Sequence, residues 1–165
     1  MTHLDQLENK IVSTSKLAEI IQEWRAQGCK IVFTNGCFDL LHLGHVDYLA
    51  QAADFGDKMI VGLNTDASVS RIKGPLRPIN NERSRSMVMA ALGCISLVTF
   101  FDEPTPYDLI KLVQPDVLVK GADYKIEEIV GHDIVMARGG KVETVPLVSG
   151  YSTTAIENRI RQGKS

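Results

Sequence analysis

A chain of 165 residues, 44% hydrophobic and 23% charged, lies in the ordinary range of one soluble globular domain and is long enough to bury a core without disulfide or metal staples. Its net charge of −2 gives no electrostatic footprint for duplex nucleic acid, so nucleic acid is not an expected partner. Apolar runs of about four to eight residues fall short of the roughly 18 needed to cross a bilayer, and the opening MTHLDQLENK lacks a signal pattern, so no membrane partner is expected and the cytosol is the expected compartment.

In chain order, helical spacing runs from Ser15 to Gln27 and is followed by a short β-branched run, Lys30 to Thr34. The alternation then repeats: helix from Gly44 to Phe55, strand from Lys58 to Leu63, helix from Asn81 to Leu92, strand from Ile95 to Phe101. It continues with a helix from Pro106 to Val113, a strand from Asp116 to Val119, a helix from Gly131 to Arg138 and a strand from Lys141 to Val145, and closes with a helix from Thr153 to Arg161. Gly28, Gly56, Gly93 and Gly139 follow four of the helices as stop signals.

The strands are too apolar for a one-sided sheet, so the pattern predicts an α/β fold: a Rossmann-like, doubly wound, parallel five-stranded sheet with helices on both faces. Residues 1–28 are expected as an N-terminal helical extension and residues 29–165 as one globular unit. Ligands in such folds bind at the carboxyl ends of strands, which points to the residues after Thr34, Leu63 and Val119. Cys29, Cys37 and Cys94 form no CxxC pair and leave one over, the pattern of reduced thiols.

The segment from Thr34 to His45 leaves a buried strand and enters an amphipathic helix. It matches neither the dinucleotide fingerprint nor the phosphate loop with its Lys, but Gly36 permits close backbone approach and the helix near Gly44 aims free N–H groups at an anion. His42 and His45, three residues apart, share a face at that positive end. A zinc reading that adds Cys37 lacks a fourth ligand. Further on, Arg71, Lys73, Arg77, Arg83 and Arg85 stand against Glu82 alone, either a solvated, mobile loop or an anion site.

Gly36-Cys37-Phe38-Asp39-Leu40-Leu41-His42-Leu43-Gly44-His45 resembles the GxFDxxHxGH signature of the cytidylyltransferase-like nucleotidyltransferases. The run from Ser68 to Asn80, with Glu82 and Arg85, is similar to the SxxRxKGPxRPxN block of D-glycero-β-D-manno-heptose 1-phosphate adenylyltransferases. Phe101 to Pro106, Leu118 to Lys125 and Gly150 to Thr154 resemble further blocks of that family, with Ala122 in place of a glycine common there. The family's domain is often fused to a sugar kinase, and no kinase sequence is present here, so the resemblance implies the free-standing form.

The resemblance implies transfer of AMP from ATP to a heptose 1-phosphate, giving ADP-heptose and pyrophosphate for lipopolysaccharide synthesis. It assigns catalytic roles to His42, His45 and Lys73. It puts the nucleotide against Asn35, Gly36, Cys37, Phe38 and Gly44, then Arg85 at the leaving phosphates, Lys120, Gly121 and Asp123 near the base, and Ser152, Thr153 and Thr154 at the triphosphate. Asp39, Asn64, Asp66 and Arg77 are expected at the acceptor, with a turn residue capping its own backbone as the alternative reading of Asp39. Mg2+ is expected on the substrate phosphates, with no protein ligand identified, and a homodimer is compatible with the family. Two alternatives remain: a CTP-dependent cytidylyltransferase for glycerol 3-phosphate, and a non-catalytic nucleotide or RNA binding module.

Overall fold

A computed structural model describes residues 1–163, so the last two residues of the expected 29–165 unit lie outside the described residues. The strands β1 (Ile31–Gly36), β2 (Lys58–Asn64), β3 (Leu97–Phe101), β4 (Val117–Gly121) and β5 (Lys141–Val145) form one sheet in the order β3-β2-β1-β4-β5, every pair parallel. The helices are α1 (His3–Glu8), α2 (Thr14–Ala26), α3 (Leu43–Ala53), α4 (Asp66–Lys73), α5 (Glu82–Ala91), α6 (Tyr107–Val113), α7 (His132–Ala137) and α8 (Thr153–Arg161), with a 3-10 turn at Ile126–Glu128.

Side-chain alternation along the strands sends successive residues to opposite faces, and two separate cores result. On one face Val32, Met59, Val61 and Val119 pack with Tyr48, Leu49 and Ala52 of α3 and Met89 and Ala90 of α5. On the other, Ile31, Phe33, Ile60 and Leu118 pack with Leu17 and Ile21 of α2, Leu109 and Ile110 of α6 and Val135 of α7. Burial on both faces is why these strands read as continuous apolar runs.

The first 28 residues are built into this architecture rather than appended to it. Leu17 is fully buried, Ile11 makes a parallel bridge to Val98, and Val12 N–H donates to the Val98 carbonyl at 2.9 Å. Their helix α2 takes a Ser13 N-cap, whose hydroxyl accepts from Lys16 N–H.

Two helices escape the sequence pattern. In α1, six residues long, no residue is fully buried and only Leu7 packs against the core, while a Thr2 capping box with Asp5 closes its first turn. In α4 the sequence DASVSRIK carries too few apolar residues to reveal a period, but the Thr65 hydroxyl caps it by accepting from Ser68 N–H. The basic segment, read as either a mobile loop or an anion site, therefore begins on a helix and ends on another, and only residues 74–81 of it are irregular.

β1 and β4 are neighbours in space and their connections run to opposite sides, so a crevice opens between their carboxyl ends. Tyr48 of α3 pins this point: its hydroxyl lies 2.7 Å from Thr34 Oγ1 on β1 and donates to the Val119 carbonyl on β4 at 2.9 Å. Burial, above all, pushes its phenol up to about 12. Tyr48→Phe leaves two buried groups unpaired, and we expect a loss of about 1–3 kcal/mol in urea unfolding with an unchanged m-value.

Candidate active site

A cleft of about 550 Å³ opens at that crevice, walled by the β1–α3 turn, the ends of β2 and β4, Lys73 of α4 and the first turn of α8. It gathers most of the expected residues: Asn35, Gly36, Cys37, Phe38, Asp39, His42, Gly44, His45, Asn64 and Lys73 from the first half, with Lys120, Gly121, Asp123, Ser152, Thr153 and Thr154 from the second. Arg85, Asp66 and Arg77 do not line it.

His42 is the N-cap of α3 but makes no side-chain capping bond, so the positive end of the helix is left open toward the cleft. The two imidazoles stack, with centroids 3.9 Å apart and planes inclined by 21°. The buried Nδ1 atoms of both have no partner. Burial lowers the affinity of each for a proton, and for His45, where the neighbouring His42 and Lys73 add to the effect, the pKa falls to about 4. Both rings are therefore neutral at pH 7.

The turn before them is tightly drawn. Phe38 takes a left-handed backbone conformation, φ 46°, which costs a non-glycine residue about 1–2 kcal/mol and sets its ring edge-on to His45 at 5.2 Å. Gly36 makes room for that ring, because a Cβ there would sit 2.8 Å from Phe38 Cε2. Gly44 is equally constrained: a Cβ would come within 3.0 Å of His42 Nδ1. On the opposite wall Lys120 donates to the Asn35 carbonyl at 3.4 Å, and burial brings its ammonium down to about 8. The Asn35 side-chain oxygen is buried without a partner.

Several expectations need correction. Arg85, expected at the leaving phosphates, is 1% exposed and donates to the carbonyls of Cys37, Asn64 and Asn80 and to Asp66 Oδ1. It is a brace beneath the cleft floor, and it also claims Asp66, which was expected at the acceptor. Asp39, also expected there, lines the cleft with both oxygens in use: Oδ2 accepts from Arg77 Nε and Ile79 N–H, Oδ1 from Asn80 N–H. Burial pushes its carboxyl up, but the Asn80 and Ile79 amides and Arg77 outweigh this and hold it below the usual carboxylate range. Arg77 pairs with Asp39 and Glu157, and its Nη2 is buried without a hydrogen-bond partner. Of the four residues expected at the acceptor, Asp39 and Asn64 line the cleft, and the Asn64 amide touches Ser68 and Cys37.

The basic segment resolves in the same way. Arg71 pairs with Asp102, Arg83 with Glu8, Arg77 with Asp39, and Arg85 with Asp66. Among the described residues Lys73 is the member of the cluster without an ion pair, and it faces the cleft. The three cysteines are free.

Sequence reasoning missed Tyr48, Tyr124, Leu147, Val148 and Tyr151 in the lining. Tyr48 could have been found, since it follows His45 by three residues on the same helix face. Tyr124, Leu147 and Tyr151 are exposed aromatic and apolar residues in loops, where periodicity gives no signal.

A sequence profile described as Cytidylyltransferase-like matches residues 33–159, which covers both walls of the cleft. Fold and site together define a nucleotidyltransferase, and the chain belongs to the cytidylyltransferase-like family. It is 53% identical over 158 residues to "Bifunctional protein HldE" of Caulobacter sp. (strain K31), covering 96% of this chain and 32% of that protein. It is 57% identical over 144 residues to the protein of the same name from Hyphomonas neptunium, covering 87% and 30%. The chain thus spans about a third of the length of these curated relatives. A lipopolysaccharide core biosynthesis protein from Thermoplasma volcanium superposes with a TM-score of 0.60 at 30% identity, over 76% of this chain and 100% of that one. Pantoate-beta-alanine ligase from Francisella tularensis shares the fold, with a TM-score of 0.63 at 17% identity over 92% of this chain and 77% of that one. Among the described residues no helix is long and apolar enough to cross a membrane.

Two outcomes separate brace from site. Arg85→Ala should cost about 3 kcal/mol of stability by orphaning the carbonyls it serves, whereas Lys73→Ala should leave the thermal midpoint in place. The pH dependence isolates His45. Its folded pKa of about 4 lies below the ordinary value near 6.5, so the unfolded chain takes up a proton first and stability falls as pH drops through that window. His45→Gln should lose less stability than the wild type between pH 7 and pH 4.5, measured by urea titration.

Proposed function

We propose that the chain transfers AMP from ATP to D-glycero-β-D-manno-heptose 1-phosphate, releasing pyrophosphate and ADP-heptose. The observation that carries this reading is the stacked pair of imidazoles at the open end of α3, each with a buried Nδ1 that has no partner, with unpaired Lys73 beside them. Supporting the substrate class are the Ser68–Asn80 and Leu118–Lys125 blocks, the HldE relatives and the lipopolysaccharide core neighbour.

The acceptor phosphate is already ionised at neutral pH, so no protein nucleophile or base is required. One acceptor oxygen forms a bond to the α-phosphorus while the bond from that phosphorus to the bridging oxygen breaks, and pyrophosphate carries away the electron pair. The chain's part is alignment and charge stabilisation. His42 and His45 donate to the α and bridging oxygens, Lys73 neutralises the departing phosphates, and the α8 amides with Ser152 to Thr154 receive the far end.

Magnesium fits this reading as a passenger on the triphosphate, where it would screen the β and γ oxygens. Among the described residues no group of three or more His, Cys, Asp or Glu side chains is arranged to hold a metal, and the Asp39 carboxylate is already occupied.

Loss of one preorganised donor typically costs about 10²- to 10³-fold in turnover, so His42→Ala and His45→Ala should each fall by that much while keeping native circular dichroism. Pyrophosphate release is the assay, run with ATP and CTP against heptose 1-phosphate and glycerol 3-phosphate. Preference for CTP and glycerol 3-phosphate would replace this reading with a cytidylyltransferase; near wild-type turnover in either mutant would reject the mechanism.

A further inference from the structure

Helix α8 brings Ser152, Thr153 and Thr154 to the mouth of the cleft but buries none of its own residues. Of its nine residues Thr153, Ala155, Ile156 and Glu157 are half-buried and none is fully buried, so packing holds it less firmly than it holds the helices that cover the sheet. Its N-terminus is capped by Ser152, whose hydroxyl accepts from Ala155 N–H, but that bond orders the helix only within itself.

What ties α8 to the rest of the molecule is a charge. Among the described residues one ion pair reaches it: Arg77 Nη1 donates to Glu157 Oε1 at 2.7 Å, with the two side chains 14% and 22% exposed. Such a pair is better shielded from water than the surface bridges that contribute almost nothing. Arg77 is itself fixed, because its Nε donates to Asp39 Oδ2 at 2.7 Å and the Asp39 side chain is 1% exposed. The same Asp39 lines the cleft and accepts from the Ile79 and Asn80 amides. A strut of alternating charge, Asp39 to Arg77 to Glu157, thus runs from the cleft wall to α8. Glu157 stands about 1.4 helical turns beyond Ser152, close enough to the cap for its anchorage to set where the first turn points.

We propose that Glu157 is a positioning residue for the polyphosphate end of the nucleotide. It touches no substrate. Through Arg77 and Asp39 it fixes the register of the α8 N–H groups and hydroxyls against the β and γ phosphates; this rests on the reading above that the first turn of α8 receives them. Removing its charge frees the helix without disturbing the sheet, the histidines or the wall at Lys120.

The test is calorimetric binding of a non-hydrolysable ATP analogue and of AMP to the full chain, wild type against Glu157→Gln. AMP lacks the β and γ phosphates and so reports the remainder of the site. We expect the substitution to weaken the analogue roughly tenfold, the scale of one charge-assisted hydrogen bond, while AMP binding holds. In the unliganded chain, amide hydrogen exchange should quicken across α8 and stay unchanged in β1 and β4. Equal affinity of both proteins for the analogue would overturn the inference, as would an equal loss toward AMP or unchanged exchange in α8. If the wild type binds AMP but gains nothing from the added phosphates, the α8 reading itself fails, and a wild type that binds no nucleotide removes the proposed function altogether.

Discussion

Asp39 is the constraint on which the rest of the site leans. Burying a carboxylate is costly unless its oxygens are met by donors, and here three meet it: the Arg77 guanidinium and the Ile79 and Asn80 amides. Asn80 closes the contact from the other side by donating its side-chain amide to the Asp39 carbonyl at 2.7 Å. The proline-containing segment after α4 is thereby folded back onto the β1–α3 turn. One consequence is that Lys73, at the end of α4, stands exposed on the rim of the cleft. Another is that Arg85 can enter beneath, where it satisfies the carbonyls that the bent loops leave open.

Above this foundation the cleft is built for anions without carrying a strong charge of its own. Burial lowers the proton affinity of both histidines, and for His45 the neighbouring His42 and Lys73 add to it, which disfavours two adjacent cations there. Their unpartnered Nδ1 atoms, the open end of α3 and the unpaired Lys73 gather in one cleft, the arrangement on which the proposed function rests.

Much of the fold was legible because the strands are buried on both faces and carry their signal in composition alone. All five appear where β-branched and aromatic runs predict them, and α8 runs from Thr153 to Arg161 as its spacing suggests. The HxGH turn was legible for a different reason: its residues resemble a family signature, and the fold brings both of its histidines together in the cleft. What stayed hidden were the polar residues whose partners are distant in sequence. Arg85 and Arg77 look alike in a string of cations, and nothing local tells that Arg85 reaches Cys37, or that Arg77 reaches Glu157, 80 residues away. Asp39 read as either a ligand or a turn residue, and it serves as the anchor of a loop some forty positions further on. Helix α4 was lost because its stability comes from a cap and two ends tied to other loops, not from an apolar stripe.

The contact between Ile11 and Val98 carries a consequence of another kind. β3 is an outermost strand of the sheet, and a bare flank of N–H and C=O groups there would be a template for another chain. The Lys10 carbonyl accepts from Val98 N–H at 2.8 Å, and Val12 N–H answers the Val98 carbonyl, so the beginning of the chain acts as a short selvedge along the woven edge. Removing that contact would bare the flank of β3 and leave its N–H and C=O groups open to a strand from another chain.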